Sequence, residues 1–352
     1  MEKSVTRRAR RLRVWLCVAV FAVTGCARQS PQSESHVRIA IGGQSQLIYL
    51  PTSLAQELGF YRDEGLEVDL QDMAGGSKAL EALIGGSADV VSGFYDHTIQ
   101  MAADGREFVA FVTMLRFPGL VLVTSPQSAN AVTKIEDLKG RIAGVTTAGS
   151  SSHMLLLYLL KQHGLSADEV SVTAIGTAAT AVAAIEHDKV AAGMMAEPAF
   201  TVVSRRNPGV RVLADLRHAE GVRQAFQSAT YPASVLYAKG DWLRAHRGTA
   251  AKLARAITRT LGWMQTHGPR EIAARSPASF RGDDEALYVD ALTGSMAMFS
   301  PDGKMTADGA EAVRRLLAAS MDKVRAASID LSKTYTNEFV SSGTTGPQEA
   351  RE

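Results

Sequence analysis

From Val37 onward, short apolar segments alternate with segments of helical period, and this alternation limits the folds open to the chain. Pro51 opens the first helical segment, and Gly59 ends it. Strands separated by helices of this length pair in parallel and are covered by helices. The pattern predicts an α/β fold whose first strands are Val37–Ile41, Leu66–Leu70, Asp89–Ser92 and Phe108–Leu115.

Two apolar segments, Leu120–Thr124 and Ser234–Ala238, break this alternation because neither has the expected partner helix beside it. A second alternating unit lies between them, and Thr133 and Glu136 predict a capping box for its first short helix. The simplest topology is two doubly wound α/β domains joined by a two-strand hinge, with a ligand cleft between them. We expect domain I at 37–120 and 233–342, domain II at 121–232, and crossings near residues 118 and 233.

Residues 1–26 have the pattern of a secretory signal peptide: basic residues, a ten-residue apolar run and then small residues before Cys26. Ten apolar residues are too few to span a bilayer, which takes about 20. The last four residues resemble a bacterial lipobox, so we expect Cys26 to be acylated. The alternative is a plain signal peptide with a chance cysteine. Residues 27–36 are predicted to be a flexible tether, and residues 343–352 a disordered tail.

The charge and cysteine counts change once this leader is set aside. The whole chain has 38 Lys plus Arg against 36 Asp plus Glu; without residues 1–25 the counts are 32 and 35, a net charge of −3. That balance, with 6% aromatic residues, argues against a nucleic-acid-binding surface. The second cysteine, Cys17, leaves with the leader. The exported protein is therefore expected to lack disulfides, cysteine nucleophiles and cysteine metal sites.

Ligands of open α/β sheets gather at the carboxyl ends of the strands, against helix N-termini. Several short loops at such positions combine glycine with hydroxyl or amide residues, which lets backbone N–H groups approach an anion. The alternative for any single loop is that it only caps its helix. The candidate ligand-binding residues in these loops are Gln44, Ser45, Gly76, Ser77, Phe94, Tyr95, Ser150 and Ser151.

Residues near the two crossings are further candidates. Arg116 faces either a carboxylate or sulfonate in the cleft, or solvent at the hinge. The aromatic residues Phe117 and Tyr231 either line the cleft or pack beside it. Glu197 follows an apolar strand, so it either accepts hydrogen bonds from a ligand or caps the next helix.

The chain resembles the solute-binding proteins of ABC importers in the nitrate/sulfonate/taurine and thiamine-pyrimidine-precursor group. The resemblance spans about residues 37–340 and rests on segments in a fixed order: IAIGGQSQLIYLPTSLAQELGFYRDEGLEVDL, AGGSKALEALIGGSADVVSG, KIEDLKGRIAGVTTAGSSSHMLLLYLLKQHGL and KVAAGMMAEPAF. It implies a type II periplasmic-binding-protein fold, a closing cleft and delivery of a solute to a permease with its ATPase. It also implies ligand contacts at Gln44, Gly76, Ser77, Phe94, Ser150, Ser151 and Glu197. Relatives commonly have Asp-Pro where this chain has Glu197-Pro198, so the polar group of the ligand stays open.

Rival functions find less support in the sequence. No H-E-x-x-H, G-x-S-x-G or P-loop motif is present, and the histidines lack metal-ligand spacing. Enzymes of thiamine-pyrimidine synthesis use a cysteine-rich motif that the exported chain lacks. We therefore expect no enzyme activity, cofactor or metal, but a monomeric, lipid-anchored periplasmic or cell-surface protein that binds a small organic solute, anionic or heteroaromatic. A sensor lipoprotein with the same fold, signalling to a membrane partner, is the alternative.

Overall fold

The computed structural model describes residues 35–340, which contain two five-stranded mixed sheets with flanking helices. The predicted signal peptide, the lipidation site at Cys26, most of the tether and the 343–352 tail lie outside the described residues. Ser35 and His36 were predicted to belong to the tether, but they begin the first strand and pair with Leu66 and Glu67. The tether prediction is therefore wrong at its C-terminal end.

The strands agree closely with those predicted, apart from one that the sequence pattern missed. In chain order they are β1 (Ser35–Ile41), β2 (Leu66–Asp72), β3 (Val90–Phe94), β4 (Phe108–Thr113), β5 (Leu120–Thr124), β6 (Ile142–Val145), β7 (Ser171–Ala174), β8 (Ala192–Ala196), β9 (Val212–Asp215) and β10 (Ser234–Lys239). The missed strand is β9, a short segment with an exposed Val212 that pairs only with β5. Its sequence has no alternation of apolar and polar residues long enough to predict a strand.

The helices cover both sheets, and several short ones follow the second sheet. In chain order they are α1 (Leu50–Glu57), α2 (Phe60–Asp63), α3 (Gly76–Gly85), α4 (Asp96–Ala103), α5 (Ser151–Gln162), α6 (Ala178–Glu186), α7 (Ala199–Arg206), α8 (Ala219–Phe226), α9 (Gly240–Ala245), α10 (Arg247–Thr266), α11 (Pro269–Arg275), α12 (Ala278–Arg281), α13 (Glu285–Ser295), α14 (Ala307–Ser320) and α15 (Asp322–Ala326). None of the helices within residues 35–340 has the length and apolar character needed to cross a membrane.

The sheet orders show how the chain passes between the two halves. The first sheet has the order β2-β1-β3-β10-β4 and the second has the order β7-β6-β8-β5-β9. In each sheet the strand that breaks the alternation, β10 or β5, is antiparallel to both of its neighbours. We call the first sheet with its covering helices the first lobe, and the second sheet with α5–α8 the second lobe.

The two crossing segments are joined to each other by backbone hydrogen bonds. Tyr231 N–H donates to Arg116 O at 2.9 Å and Ala233 N–H donates to Leu115 O at 3.0 Å. A third segment pairs with the first crossing, since Arg116 N–H donates to Met298 O and Ser300 N–H donates to Met114 O. The hinge thus has two crossing strands, with a third segment that adds support from the first lobe.

Four of the strands are buried along their whole length, including β4 at the edge of the first sheet. All residues of β3, β4, β5 and β8 are buried, as expected for strands covered by helices on both faces. One apolar core runs through both lobes, and a smaller one lies in the second lobe around Val121, Ile185 and Val203. The C-terminal helices contact both lobes: α14 packs on α4 and α5, and α13 packs on α7. The residue limits of the two domains therefore stay a prediction.

The predicted capping box at Thr133 and Glu136 is wrong in its acidic partner. The carboxylate of Asp137, one residue later, accepts from the N–H and hydroxyl of Thr133 and from the N–H of Lys134. Glu136 instead pairs with Nδ1 of His163 at 3.0 Å. The segment is a 3-10 turn, Ile135–Leu138, that begins one residue later than predicted, so its third residue is Asp137 and not Glu136.

Gly119 in the first crossing provides a test of this packing. It has a φ of +68°, and a Cβ there would lie 2.7 Å from Ile48 Cγ2 and from Met298 Sδ. Gly140 has nearly the same φ, +70°, but no atom within 4 Å of such a Cβ. We expect Gly140→Ala to lower the free energy of unfolding by about 1 kcal/mol, the cost of left-handed backbone. In Gly119→Ala, overpacking against Ile48 and Met298 is added to the same backbone cost, so the free energy of unfolding should fall by roughly 2–4 kcal/mol. Urea unfolding measures both, and equal losses would contradict the packing.

Candidate functional site

The candidate site is a small cavity between the lobes, at the carboxyl ends of β1, β3 and β6. Its volume is about 20 Å³, which has room for about one water molecule. An organic solute can therefore enter only if the lobes move apart. The cavity is lined by glycine, hydroxyl, amide and aromatic residues: Gly42, Gln46, Ile48, Tyr49, Gly76, Phe94, Leu120, Thr146, Ser150, Ser151 and Ser152.

Glycines allow the walls of this cavity to come close together. A Cβ at Gly42 would lie 2.7 Å from the Cα of Gly76, so the loop after β1 touches the start of α3 through backbone atoms alone. Gly75 has a φ of +145°, and its Cβ would lie 2.7 Å from Thr147 Oγ1 in the second lobe. Side chains at these positions would push the lobes apart or close the cavity.

Two helix N-termini point their free N–H groups toward the cavity. Helix α3 begins at Gly76 and α5 begins at Ser151, and first-turn N–H groups have no acceptor within their own helix. Together with the helix dipoles, such groups favour an anion or a polar acceptor. The side-chain amide of Gln46 donates to Gly42 O at 2.8 Å, so its nitrogen is already occupied in this conformation.

The serine loop before α5 is shaped by its own hydroxyl groups. Thr146 Oγ1 donates to Ser150 Oγ at 2.8 Å, and the Ser150 and Ser152 hydroxyls lie 2.8 Å apart. Ser150 Oγ also donates to Thr147 O. These bonds remain within the second lobe. Only Ser151 among the three serines extends its hydroxyl to the first lobe.

Three hydrogen bonds join the lobes around the cavity. Ser77 Oγ and Thr147 Oγ1 lie 2.9 Å apart, and Ser151 Oγ donates to Asp96 Oδ1 at 2.8 Å. The backbone N–H of Leu47 donates to the carbonyl oxygen of Glu197 at 2.8 Å. With roughly 1 kcal/mol for each bond, these contacts alone stabilise the closed arrangement only modestly.

Asp96, at the start of α4, is a buried carboxylate that was not among the predicted ligand-binding residues. Burial raises the pKa of Asp96, while His97 and the hydrogen bond from Ser151 act in the opposite direction. Its Oδ2 atom has no hydrogen-bond partner among residues 35–340, and neither has Nε2 of His97. A Cβ at Gly76 would lie 3.2 Å from Cε1 of His97, which puts the imidazole directly behind the cavity wall.

Glu197, by contrast, directs its carboxylate away from the cavity. Its Oε1 accepts from Arg217 Nη1 at 2.6 Å, and its Oε2 accepts from the N–H of Thr201. Arg217 also binds Asp215, and its hydrogen bonds outweigh the effect of burial and lower the pKa of Asp215. Burial is the largest influence on Glu197 and raises its pKa. Only the backbone carbonyl of Glu197 takes part in the contact between the lobes.

The cavity brings together four of the predicted ligand-binding residues, Gly76, Phe94, Ser150 and Ser151, and Ser77 lies beside them. Gln44 donates its side-chain N–H to Ser53 within the first lobe, and Ser45 lines a different groove.

The remaining predicted aromatic and basic residues lie away from the cavity wall. Tyr95 points into the first lobe, where its hydroxyl meets Thr334 Oγ1 at 2.5 Å. Arg116 is exposed, donates to Ala297 O and lies over the ring of Phe117. Tyr231 is buried against Phe226, with ring centroids 4.8 Å apart.

The residues near the cavity that were not predicted lie in two segments, the loop after β1 and the start of α4. Gln46, Ile48 and Tyr49 follow the glycine loop after β1, where the chain makes a 3-10 turn instead of entering α1 at once. Asp96 and His97 follow the predicted contacts Phe94 and Tyr95 at the start of α4. Gln46, two residues from the predicted Gln44, is the glutamine whose side chain lines the cavity.

A larger groove of about 450 Å³ lies between α6, α7 and α12–α13. It is open to solvent, is lined by Ser45 of the first lobe and by the starts of α6 and α7, and does not include the starts of α3 and α5. The small cavity is the better candidate because several polar groups converge on it. Within residues 35–340, no group of three or more His, Cys, Asp or Glu side chains is placed to hold a metal ion.

Comparisons with known proteins identify the family and the fold of the chain. A family model described as NMT1/THI5 like matches residues 48–272. A solved structure of a protein from Bordetella bronchiseptica RB50 is 37% identical, with a TM-score of 0.84, and the match covers 88% of this chain and 97% of that one.

Two solved structures with named ligands have the same fold at lower identity. The alkanesulfonate-binding protein SsuA from Xanthomonas axonopodis pv. citri, bound to MOPS, is 17% identical, with a TM-score of 0.66 and coverage of 87% of this chain and 99% of that one. The periplasmic nitrate-binding protein NrtA from Synechocystis PCC 6803 is 14% identical, with a TM-score of 0.67 and coverage of 88% of each chain. These likenesses confirm the predicted periplasmic-binding-protein fold.

The buried carboxylate of Asp96 predicts a pH-dependent effect of its removal. Burial raises its folded-state pKa above the value of about 3.9 expected in the unfolded chain. Ionisation of Asp96 therefore lowers the free energy of unfolding. This loss grows as the pH rises from about 4 to the raised pKa of Asp96, and above that pH it stays constant. We expect Asp96→Asn to be more stable than the wild type at pH 7 and equally stable at pH 4, by urea unfolding at each pH. Equal stability at both pH values would contradict a costly buried charge.

Proposed function

Because this chain belongs to the NMT1/THI5-like family and has the periplasmic-binding-protein fold, we propose that it is the solute-binding component of an ABC importer. It captures a small organic solute between its lobes and delivers it to a permease with its ATPase. The observation that carries this proposal is the convergence of two helix N-termini and a serine loop on one cavity between the lobes.

Closure around the solute is the proposed mechanism. The closed cavity is too small for an organic molecule, so the solute enters when the lobes separate at the two crossings. The three hydrogen bonds that join the lobes around the cavity are individually weak. A solute that touches both lobes adds contacts that exist only in the closed form, and it shifts the equilibrium by that difference in affinity.

The walls of the cavity indicate the class of solute. N–H groups at the starts of α3 and α5 suit an anionic or strongly polar acceptor, and Phe94 and Tyr49 supply apolar surface, their ring centroids 6.3 Å apart. This combination favours an anionic or heteroaromatic organic solute, either sulfonate-like or pyrimidine-like. The alkanesulfonate-binding and nitrate-binding neighbours bind anions, which agrees with a solute whose acceptor group lies at the starts of α3 and α5.

We further propose that the protein acts as a monomer on the periplasmic or cell-surface side of a bacterial membrane, held by a lipid on Cys26. The signal-peptide and lipobox pattern of residues 1–26 supports this location. A tether between Cys26 and β1 would let the lobes reach a permease in the same membrane.

A thermal-shift screen tests solute capture. The full chain in mild detergent is heated with sulfonates, aromatic carboxylates, pyrimidines and flavin-like compounds. At a concentration 100 times its Kd, a bound solute stabilises the protein by about 2.7 kcal/mol, which appears as a rise in Tm. Gly42→Ala should abolish the rise, since its Cβ would meet the Cα of Gly76 at 2.7 Å, whereas Gly209→Ala has open space and should retain it. A partner protein that shifts Tm when no small solute does would refute the importer function.

Lipid anchoring predicts a change of location on substitution of Cys26. The sulfur of Cys26 is the atom that accepts the lipid. Cys26→Ala should therefore move the protein from the membrane fraction to the soluble extracytoplasmic fraction. Immunoblots of fractionated cells measure this, with Cys17→Ala as the control that remains on the membrane. A Cys26→Ala protein that stays with the membrane would contradict the anchor.

A further inference from the structure

The carboxylate of Asp96 sits at the contact between the lobes, directly behind the serine loop. It belongs to the first lobe, and only 1% of its surface is exposed. Its Oδ1 accepts from Ser151 Oγ of the second lobe at 2.8 Å. When the lobes separate, this hydrogen bond breaks and the carboxylate faces the opened cleft.

The hydrogen-bonding capacity of this group is largely unused. An ionised carboxylate accepts about four hydrogen bonds, and a buried one without enough donors is costly. Among residues 35–340, Oδ2 of Asp96 has no partner, and the neighbouring Nε2 of His97 and hydroxyl of Tyr231 also have none. Asp96 thus keeps an unpartnered oxygen and lies one hydrogen bond behind Ser151, which lines the cavity.

The charge environment separates Asp96 from the other buried acid of the cleft region. Glu197 is neutralised by Arg217 at 2.6 Å. Within the described part of the chain no Lys or Arg acts on Asp96; its neighbours are the imidazole of His97 and the buried tyrosines Tyr49, Tyr231 and Tyr237. Asp96 therefore has room for a positive or hydrogen-bond-donating partner that the protein itself does not supply.

We propose that Asp96 determines specificity by accepting a hydrogen bond from a nitrogen of the solute: an ammonium, an amidinium or the N–H of a heteroaromatic ring. This rests on the proposed solute capture and deepens it, because the solute then carries a donor nitrogen as well as an acceptor end. The nitrogen lies against Asp96 and Ser151, and the acceptor end lies at the starts of α3 and α5. A bare oxyanion is disfavoured here, since a carboxylate repels it.

A closure contact alone does not require this acid. A neutral side chain such as asparagine accepts the same hydrogen bond from Ser151 without the cost of burying a charge. A donor nitrogen on the solute, in contrast, gains a charge-assisted hydrogen bond that is stronger than a neutral one. An acid at this position therefore favours a role of Asp96 in binding the solute over a role in only holding the lobes together.

Matched pairs of probes that differ by one amino group test the proposal. The pairs are 2-aminoethanesulfonate and ethanesulfonate, 4-aminopyrimidine and pyrimidine, and 4-aminobenzoate and benzoate. Isothermal titration of the full chain in mild detergent measures the affinity for each member. We expect at least one amino compound to bind about tenfold or more tightly than its partner, as one charge-assisted hydrogen bond allows.

Asp96→Asn then identifies the residue responsible. It keeps the shape of the side chain and should reduce the affinity for the preferred amino compound about tenfold or more, while leaving the affinity for its nitrogen-free partner within about threefold. The control is Asp104→Asn, which removes a carboxylate at the far end of the same helix, where it pairs with Lys323 on the surface. This control should bind as the wild type does.

The outcomes distinguish the two proposals. If nitrogen-free members bind the wild type as tightly as their amino partners, or if Asp96→Asn keeps full affinity for the amino compound, the role of Asp96 is refuted and solute capture stands. If neither these probes nor the wider thermal-shift panel bind the wild type, solute capture is refuted and the role of Asp96 with it. Should Asp96→Asn fail to fold, the preference of the wild type within each pair decides the proposal.

Discussion

The rest of the structure depends on the two places where the chain passes between the sheets. Strand β10 lies between β3 and β4 although more than a hundred residues separate it from them, so the second sheet is an insertion into the first. Hydrogen bonds between Leu115–Arg116 and Tyr231–Ala233 hold the crossings side by side. Because both crossings leave from the same edge, the carboxyl ends of the parallel strands in the two sheets face each other. That arrangement creates the cleft and brings α3 and α5 together.

The cleft combines groups that suit binding better than stability. Glycine backbones touch at Gly42 and Gly76, hydroxyls meet across the lobes, and the carboxylate of Asp96 is buried with one of its oxygens unpartnered among the described residues. In the second lobe, by contrast, Arg217 donates hydrogen bonds to both Glu197 and Asp215. An unsatisfied acid beside satisfied ones is the pattern expected where a ligand supplies the missing partner.

Much of the fold was predictable because burial and helix punctuation are local signals. Strand β5 was predicted with its observed limits, and β10 differs by one residue. The failures have physical causes. Strand β9 depends on pairing with β5, about ninety residues earlier in the chain. At Thr133 the acid that caps the turn is Asp137, because the turn begins one residue later than the pattern indicates.

The sequence by itself determined the alternation of strands and helices and the two strands that break it, and it predicted several of the loops that border the cavity, since each depends on neighbouring residues. The tertiary structure decided which side chains of those loops face the cavity. Glu197 turns to Arg217, twenty residues further along the chain. Asp96 turns to Ser151 in the other lobe, and Gln46 replaces Gln44 in the cavity wall. These choices depend on partners that come together when each lobe folds and, for Asp96, when the two lobes meet, and no local pattern encodes them.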